Sequence, residues 1–397
     1  MNKAVMMVVA ALSAFALFAG NTCTWTGGAG DGNWATPGNW GDNVPVSGNG
    51  DRVILSNTGN SAVISNGLGT ISIDGLTIAA GSQAFKLIGD AIQLESTASV
   101  ATVGPDASAL EKIAIYDKTS GGEIEIATPL VLPTGTHYFR IVSGAALHLA
   151  GVISDKGGFD YQSTKTDWQN CKWKETDRLK ISGDNTFEGT VYLRNYCTDI
   201  VTTNALGKAG KSVYLGQNYY SKYKFSAGGH YAYTFRASSA DTWCFFMADA
   251  ELDKLEFYQT GSKFELDGEG PVTVSFLQGL YVASGITVTD SHKLEVSFPS
   301  GGTVHVYEKF SQGKVYIGDN DSQREDYVGG RLHLQCDDVS YRSFYMPQGG
   351  IALYSSGVLN ETEVPTYYYR RTDGVTCYYL NGNDQTIDHL DTTKSFD

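Results

Sequence analysis

From about Gly50 onward the chain repeats one local unit: a short alternating apolar stretch, a turn of Gly, Asn or Asp, then another stretch. Arg52-Val-Ile-Leu55, Glu123-Ile-Glu-Ile126, Ala146-Leu-His-Leu149, Arg178-Leu-Lys-Ile181, Thr190-Val-Tyr-Leu193 and Arg331-Leu-His-Leu334 are examples. Period two over four to six residues reads as strand. Sustained helical periodicity is nearly absent, and only Pro105–Asp117 is read as a turn or two of helix, after Asp106. Strands this short cannot bury their apolar faces alone. Stacked sandwiches and one solenoid both answer that need, and repetition of like units favours the solenoid. At about 20–25 residues per coil and ~4.8 Å per rung, roughly 350 residues give about 15 coils and ~70 Å of rod. Gly and Asn suit the corners because they accept positive φ cheaply.

Internal echoes support a repeat. Arg178-Leu-Lys-Ile-Ser-Gly-Asp-Asn-Thr-Phe-Glu-Gly-Thr-Val-Tyr-Leu193 aligns without gaps to Arg331-Leu-His-Leu-Gln-Cys-Asp-Asp-Val-Ser-Tyr-Arg-Ser-Phe-Tyr-Met346. Gly210-Lys-Ser-Val-Tyr-Leu-Gly216 echoes Gly313-Lys-Val-Tyr-Ile-Gly318 with one residue skipped. His148 and His333 lie in apolar strands at equivalent-looking solenoid positions and are expected to face outward or to form ladders.

Three segments follow in order along the chain: Leu147-His-Leu-Ala-Gly-Val-Ile-Ser-Asp-Lys-Gly-Gly158, then Leu179-Lys-Ile-Ser-Gly-Asp-Asn-Thr-Phe-Glu-Gly189, then Asn204-Ala-Leu-Gly207. Together they resemble the autotransporter-associated β-strand repeat family. Leu380-Asn-Gly-Asn-Asp-Gln-Thr-Ile387 and the opening Thr24-Trp-Thr-Gly-Gly28, Trp34, Asn39-Trp40, Pro45, Asp51 look like other elements of such secreted chains. The resemblance implies a single-stranded right-handed parallel β-helix, pectin-lyase-like, exported and often displayed on a bacterial surface. Two departures stand out. An insert, Phe159–Asp177, separates the Gly pair from the next strand, and no C-terminal membrane barrel follows the last repeat element. The expectation is therefore a fragment of a longer gene product, in preference to export by the leader alone.

The leader is itself legible. Lys3 precedes an uncharged apolar run, Ala4 to Ala19, of signal-peptide length and short for a membrane span. Residues 1–20 are read as signal peptide, 21–50 as a Trp-rich N-terminal cap and 51–397 as β-helix. No later apolar run is long enough to span a membrane. Export permits disulfides among Cys23, Cys171, Cys197, Cys244, Cys336 and Cys377, with Cys171–Cys197 the first candidate pair and buried free thiols the alternative. A net charge of −14 excludes a nucleic-acid partner on electrostatic grounds.

Candidate binding residues are aromatic. Trp25, Trp34 and Trp40 read as a cap over the first coil or as a sugar-stacking platform. Tyr219, Tyr220, Tyr231, Tyr233 and Trp243 lie in an aromatic-dense stretch that serves either as stacked core or as a groove for a glycan or cell-surface protein. Tyr367-Tyr-Tyr369 and Tyr378-Tyr379 invite the same pair of readings. Trp168 and Trp173 lie on the insert, which is expected to project as a loop. Asp319-Asn-Asp-Ser-Gln-Arg-Glu-Asp326 lacks the glycine and terminal Glu of an EF-hand and reads as a solvated turn, so no metal is expected. No nucleotide-, zinc- or serine-hydrolase motif occurs, and no cofactor is implied. The expected role is a structural or adhesive passenger without catalysis. The alternatives are a carbohydrate-active β-helix, whose site residues would come from neighbouring coils, and a glycan-binding module.

Overall fold

One inward residue for each outward one is the rule along these strands, as in Glu123–Ile126, where Ile124 and Ile126 are buried and the two glutamates are half exposed. The computed structural model describes residues 20–282, apart from 60, 100–112, 120–121, 143, 164–177, 195, 217–220, 240–241, 260–262, 267–271 and 279. Beyond that it describes the strands from Leu294–Ser297 to Leu390–Asp391. It is a right-handed parallel β-helix. The strands gather into sheets of 18, 12 and four strands, with a separate two-stranded pair. The first three serve as walls I, II and III of the rod. Every strand ladder among the described residues is parallel, as stacking of successive coils requires.

A single apolar column fills the interior. Val53, Leu76, Ile115, Phe139, Tyr161 and Leu193 follow one another in register up wall I, and all are buried. On wall II the sequence runs Ile124, Leu147, Leu179, Thr198, Tyr223. Val191 pairs with Val213, and Val213 with Phe235, inside the coil length expected.

Wall III is short. It stacks Ile71–Ile73, Ile92–Leu94, Leu130–Val131 and Ile153–Ser154, and then stops. In the next coil Asn185 takes over. Its Oδ1 accepts the N–H of Ile153 (2.6 Å) and its Nδ2 donates to the carbonyl of Ala205 in the coil above (2.6 Å). One buried amide thus replaces the ladder bonds that a strand would have made. Two coils on, the long strands Gly229–Ala237 and Ala250–Phe257 extend wall I back over this corner. The Gly210 N–H donates to Ala232 O, and the pairing between the two strands shifts register between Tyr231 and Thr234.

The cap closes the starting end. Trp25, Trp34 and Trp40 are all buried, and Trp34 meets Trp40 edge-on at 5.6 Å. Trp40 bridges antiparallel to Trp25 on the free edge of wall I. Asn33 bridges to Ser65 on wall II, flanked by bonds Trp34 N–H to Ser65 O and Ser65 N–H to Gly32 O. Asp31 fastens the loop by accepting from the Asn33 N–H, the Thr36 hydroxyl and the Asn39 amide, which holds its carboxyl below the usual range. The rings are therefore core, as the cap reading requires, and offer no open face to a sugar.

Several expectations change. The insert does not begin at Phe159: Gly158–Ser163 is a strand of wall I, paired on both sides, and only 164–177 lie outside the described residues. The internal echoes do not mark equivalent positions. Arg178–Ile181 is on wall II and Arg331–Leu334 on wall I; Ser212–Leu215 is on wall I and Lys314–Ile317 on wall II. His148 and His333 consequently sit on different walls. Within Pro105–Asp117, Ile115–Asp117 is strand rather than helix, and the stretch before Ile113 lies outside the described residues.

Candidate functional site

Side chains at alternate positions of wall II form two outward rows. One runs Glu123, Ala146, Arg178, Cys197, Lys222, Trp243. The other runs Glu125, His148, Lys180, Asp199, Lys224, Phe245. Parallel register puts these groups one rung apart, so long side chains reach diagonally between coils.

The densest cluster of chemistry lies across four of these strands. Arg178 donates to Glu123 Oε2 at 2.8 Å and stands 3.8 Å from Asp199. Asp199 in turn accepts from the Ser226 hydroxyl at 2.5 Å. His148 Nε2 is 2.7 Å from Ser182 Oγ, and His148 Nδ1 is 3.4 Å from Glu123 Oε1. Burial is the largest influence on His148 and lowers its pKa, with Lys180 adding to the effect and Glu123 opposing it. The imidazole is therefore held neutral near pH 7.

Wall I carries a different surface. Tyr192 and Tyr214 stack at 4.9 Å, and the Arg194 guanidinium lies over the Tyr192 ring at 4.8 Å while binding Asp160 with both carboxylate oxygens. Arg236 pairs with Glu256 one coil further on. Rings stacked face to face, with a guanidinium on the end, leave only edges to solvent, so this ladder joins coils and does not stack sugars.

The aromatic candidates separate sharply. Tyr231 and Tyr233 point into the core, at 0 % and 1 % exposure. Tyr231 donates its hydroxyl to Ala227 O and Tyr233 to Gly207 O, and burial raises both phenols above their ordinary range. They pack with Phe225, Phe235 and Phe246 in an aromatic plug and line no groove. Trp243 alone of the described candidates faces outward; it is half exposed, with the Lys222 ammonium 5.9 Å from its ring. Tyr219, Tyr220, Trp168 and Trp173 fall outside the described residues, as do 318–330 with the acidic turn. Among the described residues no group of His, Cys, Asp and Glu is arranged to hold a metal.

Cys23 and Cys244 are buried free thiols. Desolvation, helped by Asp51, pushes Cys23 up to about 12. Cys197 is buried on wall II, and its expected partner Cys171 lies outside the described residues.

Sequence reading placed His148 outward but missed Glu123, Ser182, Arg178 and Asp199 as its company. Each is 25 or more residues from His148, and only the register brings them to it. No family model, curated protein or solved structure matches this chain.

Proposed function

We propose that the chain is an exported β-helical rod with a structural or adhesive role, a surface passenger of the autotransporter-associated β-strand repeat kind, whose partner is a glycan or a cell-surface protein. The observation that carries this reading is how the outward polar groups are used. Lys86–Glu125, Arg178–Glu123, Arg194–Asp160 and Arg236–Glu256 each tie one coil to another. A surface organised to hold a rod together along its length is what a display scaffold needs. The leader read at residues 1–20 supports the address, and among the described residues no helix is long and apolar enough to cross a membrane.

Expression of the full chain in a bacterial host tests the proposal. Mass spectrometry of the product should find an N-terminus created by cleavage near Ala16 or Ala19, and the rod should be digested by protease added to intact cells. An uncleaved chain recovered only from the cytosol would overturn it.

One observation favours a carbohydrate-active reading: Glu123, Asp199, Arg178 and His148 converge on a single wall. Release of reducing ends from acidic polysaccharides, lost in Asp199→Asn, would support it.

A further inference from the structure

Glu123 and Asp199 of the wall II cluster both face Arg178, at 2.8 and 3.8 Å. The neutral pair beside them is better placed for chemistry. We propose that Glu123, His148 and Ser182 form a nucleophilic relay on the outer wall, and that Ser182 hydrolyses acyl esters. This activity goes beyond the scaffold role and does not depend on it.

Ser182 Oγ lies 2.7 Å from His148 Nε2, within reach for proton transfer. The opposite ring nitrogen, Nδ1, faces the Glu123 carboxylate at 3.4 Å, an ion-pair separation longer than a tight hydrogen bond. Nucleophile to Nε2 and carboxylate to Nδ1 is the sense in which acyl-transfer triads are wired on unrelated folds. Here the three groups lie on a diagonal across the Glu123–Ile126 strand, the Ala146–Leu149 strand and the corner just after Arg178–Ile181. Arg178 holds the far oxygen of Glu123 at 2.8 Å, which fixes the carboxylate. Glu123 is thus a positioning residue, acting through the imidazole.

His148 is largely buried, whereas Ser182 is half exposed at a corner of the rod, open to an incoming carbonyl. The charged groups that act on the imidazole are Glu123, Glu125, Arg178 and Lys180. Lys180, in register with His148, sets a positive charge beside the imidazole.

The steps balance without a cofactor. Ser182 Oγ bonds to the ester carbonyl carbon as its proton passes to His148 Nε2. Collapse of the tetrahedral intermediate breaks the bond to the alkoxy oxygen, which leaves with that proton as the alcohol. Water then gives a proton to Nε2 and its oxygen to the acyl carbon. The acid departs, and Ser182 Oγ recovers its proton.

The test uses the purified full chain and a fluorophosphonate probe, with the adduct located by peptide mass spectrometry. The adduct is expected on Ser182, alongside hydrolysis of p-nitrophenyl acetate. Ser182→Ala should abolish the adduct on that peptide and cut hydrolysis at least tenfold; His148→Gln should do the same. Glu123→Gln should slow labelling and move the acid limb of its pH profile downward, since the carboxylate raises the imidazole's pKa. A merely structural Glu123 would leave that limb in place. Absence of an adduct at Ser182 in the wild type, or hydrolysis unchanged in Ser182→Ala, would sink the proposal. Ser182→Ala removes only one half-exposed hydroxyl, so it decides alone if His148→Gln fails to fold.

Discussion

A carboxyl group sits where Ile78 below and Ile141 above place hydrocarbon. Asp117 is fully buried in that inward row; its Oδ1 accepts from the Thr119 N–H and hydroxyl, and its Oδ2 has no partner among the described residues. Desolvation pushes its pKa up to about 6 against an ordinary 3.8. A raised carboxyl pKa means that the folded state holds its proton more tightly than the unfolded one. Stability from this group is intact below about pH 4, falls between about pH 4 and 6, and stays lost above. Asp117→Asn keeps the Oδ1 bonds and removes the charge. It is expected to raise stability by up to roughly 3 kcal/mol above pH 6 and by nothing below pH 4. Urea melts across that range check the sign. Asn185 makes the opposite case, a buried polar group fully used. Asn185→Ala strands the Ile153 N–H and the Ala205 carbonyl at once, for an expected loss of roughly 2–5 kcal/mol, read as a drop in the urea midpoint.

At the scale of the element, the corner between walls II and I explains why the resembling motifs look as they do. Gly151–Gly158, Ser182–Gly189 and Asn204–Gly207 occupy that corner in three successive coils, joined by bonds such as Thr186 N–H to Ile153 O and Asn185 N–H to Asn204 O. The glycines are there for closeness. A Cβ on Gly189 would lie 2.1 Å from Gly158 N, and one on Gly158 would lie 2.0 Å from Thr190 O. Gly189→Ala is therefore expected to push two coils apart at a cost of roughly 1–3 kcal/mol. A lowered thermal midpoint, with faster amide exchange at Phe159, whose N–H donates to Thr190 O, would confirm it. Asp155 turns the same corner at φ 82°, a left-handed conformation that Asp tolerates better than most non-glycine residues.

For the whole molecule, the vulnerable feature of a rod is its end. An open coil exposes strand edges on every wall and the apolar floor between them. Here residues 26–41 meet both needs, bridging the first strands of walls I and II and laying two indoles, Trp34 and Trp40, against the core beside Trp25. Trp34→Ala removes a fully buried ring. Its expected cost is roughly 3–5 kcal/mol, accompanied by concentration-dependent association through the uncovered edge. Light scattering against concentration, beside a thermal melt, separates the two effects. The aromatic plug of Tyr231, Tyr233 and Phe225 fills the interior where wall I widens, which is why a stretch so rich in rings exposes so few of them.

Much of the architecture follows from the chain's own pattern. Period-two strands, turn residues between them and the absence of helical periodicity specify strands too short to stand alone, and stacking is how such strands bury a face. The Trp-rich cap follows too, because large rings before the first repeat have one obvious floor to cover. Which wall a strand joins was not legible: Arg178–Ile181 and Arg331–Leu334 share a pattern yet lie on different walls, since strand alternation encodes in and out but not position around the coil. Nor could the pattern tell a core tyrosine from a surface one, as at Tyr233. Glu123, His148 and Ser182 become neighbours only through the register of three coils, and register is decided by packing between coils, a property that no single segment carries.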